Sequence, residues 1–346
     1  MAEEHTMASY VGLDVSLAET SVCVLGDKGE VRFEGKARSR PEDLVECIRR
    51  CAGDAERVGL ETGQTAGVLV RALKEAGLPV VCLETRHAHK ALSARANKTD
   101  RNDARGLAEL MRVGWYREAW VRGASAQAVR SLLLGRRLLM QTKRTLENTL
   151  RGAVKRFGLM ITKTAGRTFK HRAAAMMDRD PAYAAFAAPL LAVLGTVLAQ
   201  IASYERQLRA IARGDGTVRR LMTVPGIGYL TALAFTSTLE DPARFKRSED
   251  VGAYLGLTPR VHQSGEIDRS GRITRTGDGM TRSYLFEAAS VVLTRITRPS
   301  ALRSWGLRLQ ERSGLKKAKV AVARKLAVMM HAIWSDGTEF EWRAAA

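Results

Sequence analysis

Over residues 9–83, short apolar runs and amphipathic stretches follow one another in an order that leaves few folds open. Ser9–Ser16 (SYVGLDVS) reads as a strand that holds Asp14 near its end. Thr20–Leu25 and Glu30–Gly35 read as two more, and the turn Gly26-Asp27-Lys28-Gly29 between them is a hairpin signal. Pro41-Glu42-Asp43 opens a helix to about Cys51, with proline near the first helical position, where no N–H is needed. Arg57–Leu60 is a short strand closed by Glu61, Gln64–Glu75 a helix stopped by Ala76-Gly77, and Leu78–Leu83 another strand. A further helix follows, and the order is β-β-β-α-β-α-β-α, so a hairpin-linked sheet is extended by crossover helices.

That order is the order of the ribonuclease-H-like fold, an α/β class, and it gives the acidic residues a context. In Lys98-Thr99-Asp100-Arg101-Asn102-Asp103-Ala104-Arg105, running on to Leu110, a helix begins with Thr99 or Asp100 as N-cap. Ala104, Leu107, Ala108 and Leu110–Met111 form its apolar stripe. Asp100 and Asp103 share one face, with Cβ atoms about 5–6 Å apart. Carboxylates that close raise each other's pKa unless a cation sits between them. A bland account is open for each acid. Asp100 and Asp103 suit the positive end of a helix dipole, Asp14 a strand-end turn, and Glu61 a helix cap. Taken together, they gather where open α/β sheets collect ligands, outside the carboxyl ends of strands. Four such acids can hold one or two Mg²⁺, which takes oxygen ligands and phosphate partners.

Charge divides the chain. Residues 1–120 hold 18 Lys+Arg and 19 Asp+Glu, whereas the remaining 38 bases and 17 acids give 121–346 a net of +21. A neutral chemical module beside a nucleic-acid-holding module is the expectation. No segment pairs a basic face with a Trp/Phe/Leu face, which argues against a membrane-surface role. No run of some 18 or more uncharged apolar residues is expected, and Met-Ala-Glu-Glu-His lacks a signal peptide's basic start, so a cytoplasmic protein with no membrane span is expected. Cys23, Cys47, Cys51 and Cys82 form no CxxC pair and read as buried reduced thiols.

From Ala124 to about Phe157 one long helix is expected, with Leu132, Leu139, Leu146 and Val154 near heptad spacing, as in a stalk or coiled coil. Arg136, Arg137, Lys143, Arg144, Arg151, Lys155 and Arg156 line its polar sides against Glu147 alone, which favours a phosphate-facing surface over a merely solvated one. Residues 158–180 read as a basic loop, and Ala182–Arg213 as a second long helix able to pair antiparallel with the first. Val224-Pro225-Gly226-Ile227-Gly228 before an apolar helix is similar to the turn of helix-hairpin-helix modules, where glycines bring backbone N–H groups to a phosphate. It can equally be a structural turn. Arg260–Arg282 reads as a mobile basic loop holding Arg260, Arg269, Arg272, Arg275 and Arg282. Its Ser264-Gly265 and Ser270-Gly271 pairs are ordinary turn formers, or hydroxyls beside arginines that could stabilise a phosphoryl transition state.

The quoted pieces stand in a telling order: VGLDVS, GLETG, NKTDRNDARGLAEL, VPGIG and GLTPR…SG, spread along nearly the whole chain. Together they resemble the DEDD transposases of the insertion-sequence-110 family, recombinases guided by a bridge RNA. Residues 1–8 read as a disordered tail, and the resemblance implies a RuvC-like domain over 9–120. It also implies a helical, coiled-coil segment over 121–215 and a mainly α transposase domain with a catalytic serine over 216–346. It assigns Mg²⁺ to Asp14, Glu61, Asp100 and Asp103. It makes Ser264, at the family's short spacing after GLTPR, the nucleophile that forms a covalent phosphoserine link with DNA; Ser270 is the second choice. The Glu-Ile-Asp run after Gly265 departs from the family's small polar residues. Implied partners are target and donor DNA, a bridge RNA to which sequence choice is delegated, and further copies of the chain in a tetramer that brings serine and acids together. Two other classes stay open: a RuvC-like structure-specific nuclease using water and two metals, and a non-catalytic nucleic-acid-binding protein on the same fold. An actin-like ATPase is disfavoured, because no second glycine-rich phosphate loop is present and the charge is wrong.

Overall fold

The structure, a computed structural model, describes residues 8–93, 99–161, 164–264 and 267–342, with the side chains of His262, Ile267, Asp268 and Ser270 outside that description. Residues 1–7 of the expected tail, Lys98 and Gly265 also lie outside the described residues. The chain divides between Gly123 and Ala124 into two compact units.

The first unit is α/β. Its strands are β1 (Ser9–Val15), β2 (Glu19–Gly26) and β3 (Val31–Arg38), then β4 (Ala55–Glu61) and β5 (Val80–Leu83). Its helices are α1 (Pro41–Cys51), α2 (Ala66–Glu75), α3 (Thr85–Leu92) and α4 (Asp100–Val113). The sheet order is β3-β2-β1-β4-β5, with β1–β2–β3 antiparallel and β1, β4 and β5 parallel. Alternation along β1 sorts the two layers. Val11, Leu13 and Val15 face Leu44 and Ile48 of α1 and Leu69, Val70 and Leu73 of α2. Tyr10 and Gly12 face α4 on the other side, Tyr10 among Leu107, Leu110 and Met111. All four cysteines are free, and Cys23, Cys47 and Cys82 are buried.

The second unit is helical apart from one hairpin. Its elements are α5 (Ala124–Arg156), α6 (Gly166–Ala175), α7 (Pro181–Gly214), α8 (Gly216–Leu221), α9 (Tyr229–Leu239) and α10 (Ser248–Tyr254). The hairpin β6 (Pro259–Ser264) and β7 (Ile267–Ile273) follows, then α11 (Gly279–Thr294), α12 (Ala301–Ser313) and α13 (Leu315–Asp336). Helices α5 and α7 run antiparallel. Arg136 pairs with Glu205 at 2.7 Å near one end, while Leu150 and Val154 pack with Ala187, Leu191 and Leu194 at the other. Glycine 135 sits against the Tyr204 ring, where a Cβ would come within 2.7 Å of its oxygen.

Three expectations are corrected here. The basic loop over 158–180 contains α6, because Phe169 and Ala173 fill the space between α5 and α7. The loop over 260–282 is largely the β6–β7 hairpin and the start of α11. The run without charge at 181–204 makes α7 long and apolar enough, by length and composition, to cross a membrane. Its stripe of Tyr183, Ala187, Leu191, Leu194 and Ile201 is buried against neighbouring helices.

A buried polar network ties α5, α9 and α11. Arg130 donates to Thr238 at 2.7 Å and forms an ion pair with Asp278, which caps α11 by accepting the Thr281 N–H at 2.7 Å. Burial pushes the Asp278 carboxyl upward, but the Thr281 N–H and the Arg130 guanidinium outweigh it and hold it below the ordinary range.

Candidate nucleic-acid-processing site

Asp14 and Glu61 share one face of the first sheet, the face on which α4 lies, and Asp100 and Asp103 stand in the first turn of that helix. Asp14 and Glu61 stand one residue beyond the paired Leu13 and Leu60 on adjacent parallel strands. Alternation puts both on the side of Gly12 and Gly59, which is the α4 side. A Cβ on Gly12 would meet the Ala104 carbonyl oxygen at 2.1 Å and the Ala108 nitrogen at 2.3 Å, so α4 lies directly on the strand. A Cβ on Gly59 would meet Met111 Cγ at 2.7 Å. Since Tyr10 meets the far end of α4 and Gly12 its middle, the helix runs against β1 and its first turn overlies the end that carries Asp14. Asp100 lines a depression with Ser21, the ladder partner of Asp14.

The first turn is fixed twice. Thr99 caps α4, its hydroxyl accepting the Asn102 N–H at 3.2 Å. Arg101, between the two aspartates, donates from Nε to Glu34 of β3 at 2.6 Å. Glu34 is a neighbour of the candidate acids that the sequence did not reveal, because a single acid inside an alternating strand carries no signal of its own. Asp14 and Glu61 share a cleft of about 660 Å³ with Val15–Ala18 and Thr62–Ala66. Both are half-buried, as is Asp103, while Asp100 is exposed. Among the described residues, no three His, Cys, Asp or Glu side chains are already close enough to hold a metal ion. The donor set is nonetheless all carboxylate oxygen at strand ends and a helix start, which fits a hard divalent cation rather than a soft one.

In the second unit, Ser264 is exposed at the last paired position of β6, opposite Ile267. Ser270 lies within β7, its backbone paired with Val261. The hairpin base is tightly held. Gly256 and Gly277 have φ of +67° and +74°, and Cβ atoms there would meet the carbonyl oxygens of Thr276 and Tyr254 at 2.1 and 2.0 Å. Arg282 donates to the Leu255 and Thr276 carbonyls at 2.7 and 2.9 Å.

The proposed phosphate-facing residues divide into two groups. Arg137, Arg144, Lys155 and Arg156 on α5 and Arg260, Arg269, Arg272 and Arg275 around the hairpin are exposed. The others face inward, which corrects the reading of them as free surface charge. Arg136 is engaged by Glu205, Lys143 by the buried Glu147 at 3.4 Å, and Arg282 by the hairpin base. Arg151 donates to the Thr164 carbonyl at 2.8 Å and lies over the Phe169 ring. Gly226, at φ +79°, is packed against α11, where a Cβ would meet the Ala288 carbonyl oxygen at 2.7 Å; only Gly228, the N-cap of α9, has open space beside it.

Comparison with known proteins gives this arrangement its class. Residues 11–158 match a family model described as a transposase, of the DEDD type, and residues 218–305 match the model of the transposase IS116/IS110/IS902 family. The transposase for insertion sequence element IS1111A of Coxiella burnetii is 30% identical over 329 residues, covering 93% of this chain and 88% of that protein. A probable family 20 transposase of Pseudomonas aeruginosa is 31% identical over 293 residues, covering 81% and 84%. The pilin gene-inverting protein of Moraxella lacunata is 31% identical over 125 residues, 36% of this chain and 38% of that protein. Among solved structures, Thermus thermophilus RuvC in complex with a Holliday junction substrate is 15% identical, with a TM-score of 0.25, over 32% of this chain and 99% of that one. The protein is therefore an insertion-sequence transposase, an enzyme of DNA cleavage and strand transfer. It belongs to the IS116/IS110/IS902 family.

Proposed function

We propose that this transposase is an RNA-guided recombinase in which Ser264 attacks DNA phosphodiesters and Asp14, Glu61, Asp100 and Asp103 form a metal-binding RuvC-like acidic site. The observation that supports the acidic site is the seating of α4 on Gly12, with its first turn toward the strand end bearing Asp14, beside the parallel strand that ends at Glu61. Mg²⁺ held by those carboxylates would stabilise charge on the phosphoryl oxygens and the departing oxygen. Ser264 suits the nucleophile's role by its exposure at the hairpin's end and by the exposed Arg260, Arg269 and Arg272 around it. Its oxygen bonds to phosphorus as the bond from phosphorus to one deoxyribose oxygen breaks. The serine's proton passes, by way of water, to that leaving oxygen, and the reverse attack by another strand end rejoins DNA. Exposed bases on α5 and the hairpin, with the Gly226–Gly228 turn, hold target and donor DNA and the bridge RNA by their phosphates. A tetramer brings serine and acids together from different subunits.

Peptide mapping of a trapped protein–DNA adduct tests the chemistry. A phosphoester on Ser264, lost in Ser264→Ala and kept in Ser270→Ala, is expected. Adduct on Ser270 would move the role to the second serine. Cleavage with no adduct at all would favour the alternative, a metal-dependent nuclease that uses water. Sequencing of RNA that co-purifies with the protein tests guidance. Mixing Asp14→Ala with Ser264→Ala tests the shared site, since activity should return only if the two functions come from different subunits.

A further inference from the structure

The exposed bases of α12 and α13 lie outside every surface discussed so far. Residues 301–325 contain eight Lys+Arg and one acid, Glu311. Arg308 and Arg312 on α12, and Lys316, Lys317, Arg324 and Lys325 on α13, are exposed. The opposite faces of these helices are fixed in the core: Leu302 and Gly306 of α12, and Ala318, Val322, Ala323 and Leu326 of α13, are buried. Gly306 brings the helices close, since a Cβ there would meet Leu293 and Val322 side-chain carbons at 2.7 and 2.9 Å. The six charges thus stand on one rigid pair of helices joined at Gly314.

Two features separate this face from the basic side of α5. First, none of the six forms an ion pair among the described residues, whereas α5 spends Arg136 on Glu205 and Lys143 on Glu147. Uncompensated like charges on a short, ordered surface repel one another, and a polyanion relieves the repulsion. Second, the neighbouring aromatic rings are not offered for stacking. Lys325 covers the Trp305 ring at 4.7 Å, and Lys319 lies 5.7 Å from the Phe286 ring centre. A single strand binds through free ring faces as well as charge, and this face supplies charge with its rings occupied. At about 1.5 Å of rise per residue, the basic stretch is roughly 6 Å long on α12 and roughly 14 Å on α13, together the scale of a few consecutive phosphates.

We infer that the α12–α13 face is a sequence-independent docking surface for the phosphate backbone of duplex DNA, distinct from α5 and the hairpin. It gives the enzyme a grip on its DNA that needs neither the serine nor the acids.

The full-length protein with R308Q/R312Q/K316Q/K317Q/R324Q/K325Q tests this, glutamine being a good helix former. Fluorescence anisotropy with a random-sequence DNA duplex and a single-stranded RNA of equal length, over a salt series, is the readout. For the duplex, affinity should fall by on the order of tenfold or more, and the slope of log K against log salt by about 3–5, at about 0.9 per phosphate. RNA affinity should change less than the duplex affinity does. The double variant K316Q/K317Q, at an exposed helix start, guards against misfolding and should lower the duplex slope by about 1–2. An unchanged duplex slope in both variants would overturn the inference. So would an RNA loss equal to or larger than the duplex loss, which would make the face an RNA surface.

Discussion

The two units hold their candidate reactive groups in opposite ways. In the first, Asp14 and Glu61 end central strands of a five-stranded sheet, and α4 lies on that sheet so closely that two glycines face it. In the second, Ser264 ends an edge of a two-stranded hairpin whose described side chains are mostly exposed and which, among the described residues, is anchored at its base. Two strands alone have marginal stability, so the hairpin owes its geometry to Gly256, Gly277 and Arg282 rather than to a core. Carboxylates that share a cation need fixed mutual positions, and a buried scaffold gives them. The proposed nucleophile, which must reach a phosphodiester, would gain from standing on an arm.

The largest expected effect comes from the acids themselves. Asp14→Ala or Glu61→Ala should lower DNA cleavage by more than about 10³-fold, the scale of removing a central electrostatic element. Thermal stability should be unchanged or slightly raised, because like charges are relieved. Cleavage assays beside thermal scans check this, and retained cleavage in both variants would remove the acids from the chemistry.

Next in size is a matched pair of glycine substitutions. Gly12→Ala drives a methyl into the α4 backbone and should destabilise the first unit by about 3 kcal/mol, the upper range for overpacking. Gly256→Ala meets a backbone oxygen too, but at the hairpin base, and it adds left-handed strain. It should abolish adduct formation while leaving most amide protection in both units intact. Hydrogen exchange resolved by segment distinguishes them. If Gly256→Ala loosened the helical core as widely as Gly12→Ala loosens the sheet, the contrast between scaffold and arm would fail.

What the sequence revealed follows the same divide. Strand order and helix starts of the first unit were legible because alternation, Thr99 capping and Pro41 are local signals, and the places of the four acids at strand ends and a helix start follow from them. The family match supports the transposase reading independently. The hairpin was read as a loop, since RVHQSGEIDRSGRI has little apolar alternation and its order depends on contacts with Tyr254 and Thr276. The inward turn of Arg136, Lys143 and Arg282 was hidden for the same reason. Their partners Glu205, Glu147 and two backbone carbonyls are set by packing, and only Glu147 is near in sequence. Residue 130 gave no warning either; an arginine on a basic helix looks solvent-facing until Asp278 and Thr238 are placed beside it.

Arg130 therefore offers a stability test confined to the second unit. Arg130→Ala leaves Asp278 charged and nearly buried, which should cost about 3–5 kcal/mol. The pH dependence has a definite sign. The folded carboxyl lies below its ordinary value of 3.8, so its stabilisation is present above that pH and is lost as pH falls through the lower folded value. The resistance of wild type to denaturation should weaken at that acid edge, and Asp278→Asn should flatten this part of the curve. A parallel acid response in both proteins would show that other carboxylates dominate.

The smallest effect tests whether the scaffold of the first unit extends to its exposed rim. The Arg101 side chain is 76% exposed, whereas its partner Glu34 is only 13% exposed. An ion pair with one partner in solvent adds little to stability, so Arg101→Ala should leave the melting temperature where it is. The pair's role is positional: it fixes the turn carrying Asp100 and Asp103 to β3, beside Ser21 and hence beside Asp14. Cleavage should fall a few-fold, with a higher divalent-cation requirement, since the cation must then make up for one of the two contacts that fix the turn. Arg101→Lys should restore part of the loss, because a point charge cannot reproduce a two-nitrogen contact. Glu34→Ala should match Arg101→Ala, and the double variant should be no worse than either. Losses that add in the double variant would mean that the two residues act separately, and the first turn of α4 would then owe its position to Thr99 and Gly12 alone.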